Sequence, residues 1–189
     1  MSIKQDLRVA RTRKFIEQAL IRLMLEQPFA TLTVQQIADA AMVNRSTFYL
    51  HYTDKYDLLE QIHVRTIQAF TSCIDFAQED QYESILRVIR HVQQHVTIYR
   101  SLLTVSAETS DFAEEIRSIF ATLGSQQVTT YAGKERFKGA GDYFLRFFAS
   151  SALTTIRWWI EVSNDTTAEE AARMIRDYSE QGLRNSFEL

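Results

Sequence analysis

The sequence predicts an all-α protein, and three observations carry that prediction. Glycine and proline are scarce, with five Gly and one Pro in 189 residues, where together they usually make up ~12% of a chain. Sheet-rich folds draw on those residues for their tight turns. Apolar residues recur at helical i, i+3, i+4 spacing in most segments, and the breaks between runs carry helix caps. The remaining composition, 46% hydrophobic and 24% charged, is that of an ordinary globular chain. It excludes disordered and fibrous classes and suffices for one mid-sized domain or two small ones.

The first helix spans Asp6 to Gln27, with Phe15, Ile16, Ala19, Leu20, Leu23 and Met24 in register. Pro28 ends it, because proline cannot continue a helix and disfavours the α region in the residue before it. Phe29–Leu32 reads as a connector. Thr33 and Gln36 form a capping box that opens a short helix to Ala41, the hydroxyl accepting from the third amide while the glutamine reaches back. A turn at Met42–Asn44 follows, and Asn44 caps a second short helix, Arg45 to Tyr52. Thr53-Asp54, with Asp57 beyond, caps a long helix from Lys55 toward Ala77. Further helices are predicted over Tyr82–Val96, Ser110–Tyr131 and Asp142–Val162, with a loop at Ala132–Gly141 that holds three of the five glycines. A second capping box, Thr167 to Glu170, opens the last helix, with Ala168, Ala171, Ala172, Ile175 and Tyr178 on one face.

Several functions are excluded. No glycine precedes Gly124, so no phosphate-cradling glycine loop lies in the first two-thirds of the chain. The single cysteine, Cys73, rules out a disulfide framework and fits a reducing, cytoplasmic setting; a lone cysteine in an apolar helix reads as inert packing. No N-terminal stretch resembles a signal peptide. The most apolar window, Tyr143–Val162, is broken by Arg146 and Arg157, leaving ten residues between charges, short of the ~20 a membrane span requires; no membrane partner is expected. His91 and His95 have the i, i+4 spacing of a chelating pair, yet no third ligand accompanies them, and neither a metal nor a cofactor is expected. No nucleophile has a base at telling spacing, so an enzyme is not expected.

Charge is uneven. Residues 1–15 carry a net +4 and residues 66–189 a net −5. This is the asymmetry of a nucleic-acid reader joined to a second module, or of a solvated basic helix face. The two short helices decide between these readings. Joined by a tight turn and packed on a longer first helix, they form a helix-turn-helix. On the second helix Phe48 and Tyr52 share the inward face, leaving Ser46, Thr47, Tyr49, Leu50 and His51 outward or at the edge. That face holds no Glu or Lys, the residues solvent-facing helices favour. Hydroxyls can bond to phosphates or base edges, and a bare leucine can meet a thymine methyl. Arg45 and Lys55 each sit in a helix first turn, where the macrodipole disfavours a cation. A phosphate would resolve that conflict; so would a side chain that bends into solvent.

The stretch from Thr33 to Leu59, with its order Thr, Ile-Ala, Ala, Val, Thr-Phe-Tyr-x-His-Tyr-x-x-Lys, Leu-Leu, resembles the DNA-binding domain of the tetracycline-repressor (TetR) family, and the resemblance extends from about Arg11 to Ile62. Met42 departs from it, standing where the family usually has glycine. The closing pattern from Tyr143 through Trp158-Trp159-Ile160, followed by Thr-Ala-Glu-Glu, is similar to a branch that includes dihydroxyacetone-kinase operon regulators. The resemblance implies a helix-turn-helix domain over 1–53 and a helical effector-binding and dimerisation domain over 54–189. It implies a DNA-facing set of Thr33, Asn44, Arg45, Ser46, Thr47, Tyr49, Leu50, His51 and Lys55. Of these, Thr33 would touch phosphate, Arg45, Ser46 and Thr47 would approach bases, and Tyr49, His51 and Lys55 would clamp the sugar–phosphate backbone. Arg8, Arg11, Arg13 and Lys14 would add nonspecific attraction, some of it from a mobile N-terminal arm. Phe48 and Tyr52 would be core.

Such regulators act as homodimers on inverted repeats in double-stranded DNA. The last two helices would form the dimer surface, with Ala149, Ser151, Ala152, Thr155, Ala168, Ala171 and Ala172 small enough for close approach. The middle helices would hold a small-molecule effector lined by Phe70, Cys73, Tyr99, Phe112, Phe120, Phe147 and Trp158, although an aromatic stripe at helical spacing also describes plain core. The expected function is a cytoplasmic, homodimeric transcriptional repressor released by a small molecule. The alternative is a DNA-binding coactivator or adaptor controlled by a partner protein.

Overall fold

The computed structural model describes residues 3–74, 81–132, 140–162 and 165–187. All secondary structure among the described residues is helical, in agreement with the sequence reading. The helices gather into two compact units, one of residues up to Thr66 with Thr97–Ser110, the other of Ile67–Val96 with Asp111–Leu189.

The first unit is built on α1, Ile3–Glu26. It begins at Ile3, three residues before the expected start at Asp6. Ile16, Ala19, Leu20 and Met24 are buried as the periodicity requires, whereas Phe15 stays exposed with the Arg11 guanidinium 5.6 Å above its ring. Pro28 leads into a single 3-10 turn, Phe29–Thr31. The capping box at Thr33 forms as read and opens α2, Val34–Ala40. Asn44 then caps α3, which covers only Arg45–Tyr49; the expected helix to Tyr52 is three residues too long. Leu50 and His51 leave the helix as a turn, and this lets the Tyr52 ring pack inward beside Phe48. Asp54 caps α4, Lys55–Ser72, by accepting from the amides of Tyr56 and Asp57 at 2.8 and 2.9 Å. The extension of this helix toward Ala77 lies beyond Ile74, outside the described residues.

One helix was not anticipated. The run read as a single helix to Val96 ends as α5 at Gln94, and the chain turns at His95 into α6, Val96–Leu103. Tyr99, Leu102 and Leu103 of α6 are buried. So is Ser101, whose hydroxyl lies 2.8 Å from both the Ile21 and Thr97 carbonyls. A buried hydroxyl costs stability unless it is bonded, and the α1 carbonyl meets that need from 80 residues away.

In the second unit α8, Ala140–Glu161, packs against both α7, Phe112–Ala132, and α9, Ala168–Phe187; α9 also packs on α5, Gln81–Gln94. The expected loop at Ala132–Gly141 falls mostly on residues 133–139, outside the described residues, while Ala140 and Gly141 already belong to α8. Aromatic rings form the core: Phe70 meets Phe120 edge-on at 5.9 Å, Phe120 meets Phe148 edge-on at 6.2 Å, and Phe148 stacks on Phe144. The second capping box holds, with Glu170 accepting from the Thr167 amide at 2.7 Å. Ala149, Ala152, Ala168, Ala171 and Ala172, expected on a dimer surface, are instead buried against their own chain, and Thr155 nearly so. Small residues here serve helix packing inside the unit. No helix of the described residues is long and apolar enough to cross a membrane.

At Gly124 α7 lies close against α8. A Cβ there would stand 2.7 Å from Cδ1 of Phe148 and 3.1 Å from Leu145. Alanine favours a helix interior over glycine by about 1 kcal/mol, but an overpacked core typically loses about 1–3 kcal/mol. Phe148 is pinned between Phe120 and Phe144 and cannot swing away. Gly124→Ala is therefore expected to lower stability by about 1–2 kcal/mol net, read as a fall in the urea midpoint at unchanged slope.

Candidate nucleic-acid interface

Three contacts hold α3 in place. The Asn44 side-chain oxygen accepts from the Thr47 amide and from the Ser46 hydroxyl, both at 2.7 Å, so it caps the helix and fixes one hydroxyl. Phe48 is fully buried beneath the helix, and Tyr52 is nearly so just past its end. The Tyr52 hydroxyl donates to Glu17 of α1 at 2.8 Å, and the Arg13 guanidinium lies over its ring at 5.6 Å. Burial pushes this phenol up to about 12, with Arg13 pulling it down and the Glu17 carboxylate adding to the rise. Glu17 is also paired with Arg65 at 2.7 Å. Arg13 donates in turn to Gln61, Gln61 donates to Asp57 at 2.8 Å, and Asp57 accepts from the Thr53 amide at 2.8 Å. That amide bond, followed by the one from Gln61, holds the Asp57 carboxyl below its ordinary value. The network ties α1, the end of the reading segment and α4 together.

On this support the outward face carries the expected set. Arg45, Ser46, Tyr49 and Leu50 are exposed, Thr47 and His51 half-buried, and Leu50 keeps 82% of its surface in solvent. The face contains no acidic side chain. Arg45 folds back along the helix, its guanidinium donating to the Tyr49 hydroxyl at 3.0 Å and lying 5.4 Å over the ring. This i, i+4 contact carries the cation away from the positive helix end, which is how the first-turn conflict is relieved. Burial, and after it the Arg13 charge, pushes the His51 imidazole below its ordinary value. Thr33 is exposed at the head of α2, with its hydroxyl donating to the Gln36 side-chain oxygen Oε1 at 2.9 Å.

Two cations lie elsewhere than the sequence suggests. The Lys55 ammonium donates to the carbonyls of Phe29, Ala30 and Leu32 at 3.0, 2.9 and 2.8 Å and sits over the Phe29 ring at 4.8 Å. An ammonium has three donors, and all three are engaged within the fold, tying the first residue of α4 to the connector before α2. Arg13, expected to supply general attraction, is committed to the Tyr52–Gln61 brace. Arg8, Arg11 and Lys14 remain exposed on α1.

The seven residues read as an effector pocket do not share one environment. Phe70, Phe112 and Phe120 are fully buried core of the second unit. Cys73 is half-buried with its thiol 3.3 Å from the Ala69 carbonyl, and burial pushes that thiol up. Tyr99 is fully buried in the first unit. Phe147 and Trp158 face outward on α8, 50% and 37% exposed, in line with Tyr143 and Val162 and beside Tyr178 of α9. They border a groove of about 470 Å³ with Ser151, Thr155 and Met174, so they belong to a surface and not to an interior pocket. Helical periodicity alone does not distinguish the two faces of an aromatic-rich helix. His91 and His95 stand with ring centroids 4.6 Å apart; among the described residues no three His, Cys, Asp or Glu side chains gather to hold a metal.

A capped reading helix, braced from behind and free of acids in front, defines a helix-turn-helix DNA-binding regulator. Residues 16–62 match the bacterial regulatory proteins of the tetR family, and residues 79–181 match a transcriptional regulator C-terminal region. The chain belongs to the TetR family of transcriptional regulators, which bind DNA and are not enzymes. The HTH-type transcriptional regulator YxbF of Bacillus subtilis (strain 168) is 36% identical over 62 residues, 32% of this chain but only 16% of that protein's length. Among solved structures, a TetR transcriptional regulator from Streptococcus agalactiae 2603V superposes with a TM-score of 0.67 at 23% identity, covering 95% of this chain and 99% of that one. The dihydroxyacetone kinase operon activator DhaS gives 0.59 at 17%, covering 92% and 97%. At these identities the structural likeness is one of fold.

The turn between α2 and α3 contains the one residue, among those described, with positive φ that is not glycine: Met42, at φ 56°, with 91% of its surface exposed. The left-handed conformation costs a side-chain-bearing residue about 1–2 kcal/mol, and here no packing offsets it. Part of the gain from glycine is returned as unfolded-chain entropy. Met42→Gly is expected to stabilise the chain by about 0.5–1 kcal/mol, seen as a higher denaturant midpoint.

Proposed function

We propose that the chain is a homodimeric repressor acting in the cytoplasm, on the nucleoid, that holds an inverted-repeat operator and is released by a small-molecule effector. In this reading residues 1–53 bind DNA, and residues 54–189 dimerise and bind the effector. The acid-free outer face of α3, fixed from behind by Asn44, Phe48 and Tyr52, is the observation that carries it. Arg45, Ser46 and Thr47 approach base edges, Leu50 meets a thymine methyl, and Thr33, Asn44, Tyr49 and His51 bond to the sugar–phosphate backbone. Lys55 acts as a positioning residue through its three carbonyls, and Arg8, Arg11 and Lys14 supply the salt-dependent attraction.

The exposed apolar side chains Tyr143, Phe147 and Trp158 on α8, Val162 just past its end and Tyr178 on α9 support dimerisation through the last two helices. Clustered exposed apolar groups mark an interaction site, and a twofold copy would bring the same groups to meet them. The effector would enter among Phe70, Phe112, Phe120 and Cys73 in the second unit. It would act by binding more tightly to the conformation in which the two reading heads no longer match the operator.

Selection from a random duplex pool at fixed salt tests the DNA reading, and enrichment of inverted repeats is the expected result. On the selected site Thr47→Ala should cost about 1–3 kcal/mol at particular base pairs and relax preference there. Lys14→Ala should weaken all sequences alike and reduce the salt slope by about 0.9. Lys55→Met should lower the melting temperature and leave the slope unchanged. Uniform loss for Thr47→Ala, or a slope reduced in Lys55→Met, would overturn these roles.

The dimer surface has its own test. The double variant Phe147→Asp/Trp158→Asp should sediment as a folded monomer at micromolar concentration and bind a full inverted repeat no better than a half-site. A dimer that survives both substitutions would place the interface elsewhere.

A further inference from the structure

A cavity of about 440 Å³ lies within the first unit, away from the expected effector site in the second. One wall is the last turn of α1 with the Pro28–Ala30 segment; the other is the stretch Thr104–Thr109 that follows α6. Its size is that of a small-molecule site. Two helices, α1 and α6, end on it, each presenting the negative end of its dipole and its last carbonyls. Glu26 is the one charged side chain in the lining, and no lysine or arginine lines it. Met24, Phe29 and Val105 supply apolar surface, and Thr104 and Ser106 supply hydroxyls. The Lys55 ammonium stands on the Phe29 ring but is already surrounded by three carbonyls.

We propose that this cavity binds an organic cation with an apolar body, such as a substituted ammonium on an aromatic or aliphatic frame. A carboxylate and two helix C-termini favour positive charge on the ligand, and the aromatic and aliphatic wall takes the rest of it. An anion would meet repulsion from each of those three sources. The site adjoins function through one segment: Phe29 and Ala30 form its wall and also hold Lys55, the first residue of α4. Occupancy is therefore felt where α4 follows the reading segment.

The test uses the full chain, labelled with 15N and titrated with benzyltriethylammonium. N,N-diethylbenzamide serves as a neutral comparator of similar size, and 4-phenylbutanoate as an anionic one. Saturable amide shifts should centre on Met24–Ala30 and Thr104–Thr109 and extend to Lys55. Both comparators should bind at least about tenfold more weakly, and Glu26→Gln should weaken the cation about fivefold, the effect of one nearby charge at a partly solvated site. Ser106→Lys, which adds a rival ammonium on an exposed loop, should abolish binding and guards against any effect of Glu26→Gln on folding. No shifts up to 10 mM (roughly the weak limit for a ligand of this size), shifts centred elsewhere, or equal binding of the neutral comparator would each overturn the proposal.

Discussion

The second helix of the helix-turn-helix, α3, is five residues long, far below the ~12–15 residues at which a helix sustains itself in water, so its geometry is imposed from outside. The Asn44 cap fixes where it starts and the Phe48 ring fixes which face is inward. The buried Tyr52 phenol fixes where the chain goes next. Tyr52 is the anchor on which the other two depend, because its hydroxyl reaches Glu17 of α1 and its ring carries Arg13, which continues through Gln61 and Asp57 into α4. A phenol buried this deeply must be bonded. That requirement gives the reading head one orientation with respect to α1.

The same network changes how the charge of the N-terminal region is used. By sequence the first fifteen residues form a basic patch for a polyanion. In the fold Arg13 is engaged in the brace, and Lys55, which lies outside the patch, neutralises the carbonyls of the turn before α2. Arg45 is folded onto Tyr49. What remains for long-range attraction is the exposed flank of α1. The specific face of α3 is correspondingly short on charge and rich in hydroxyl and apolar groups, a composition suited to base edges and thymine methyls more than to phosphate. In the proposed reading, attraction and discrimination thus fall on different helices.

What the sequence made legible was local. Capping boxes at Thr33 and Thr167, the caps at Asn44 and Asp54 and the break at Pro28 each need only three or four neighbouring residues, and all of them stand where they were read. The helix-turn-helix followed because its signals are of this kind. Contacts across long separations left no mark. Ser101 finds the Ile21 carbonyl 80 positions away, and the Arg13–Tyr52 and Lys55–Leu32 contacts span 39 and 23. Without the first of these, the stretch from Thr97 to Leu103 falls in no helix that the sequence predicts. The second unit shows a different difficulty. Its helices are apolar on more than one face; small size suggests Ala149 and Ala152 for a dimer surface and aromatic character suggests Phe147 and Trp158 for a pocket, where packing against α7 and α9 sets the reverse. Volume explains the outcome: alanines let α8 and α9 approach closely within the chain, and the bulky rings are left outside.

Those rings and the reading face share one physical feature: each leaves apolar groups in water that the fold had the means to cover. Leu50 is 82% exposed, and Tyr143, whose ring stacks on Phe147, and Val162 are 69% and 65% exposed. Single exposed apolar residues are unremarkable on any protein, whereas aligned ones are not. At Leu50 the apolar element is one side chain among hydroxyls, matched to a partner that offers isolated methyl groups along a polar groove. On α8 and α9 the apolar element is a set of larger groups, Phe147, Trp158, Met174 and Tyr178, around a groove that also holds serine and threonine hydroxyls, and in the proposed reading a second copy of the same helices offers the same set in return. In that reading the size of the exposed apolar groups, one leucine side chain against several rings, distinguishes the proposed nucleic-acid face from the proposed protein face with no appeal to charge.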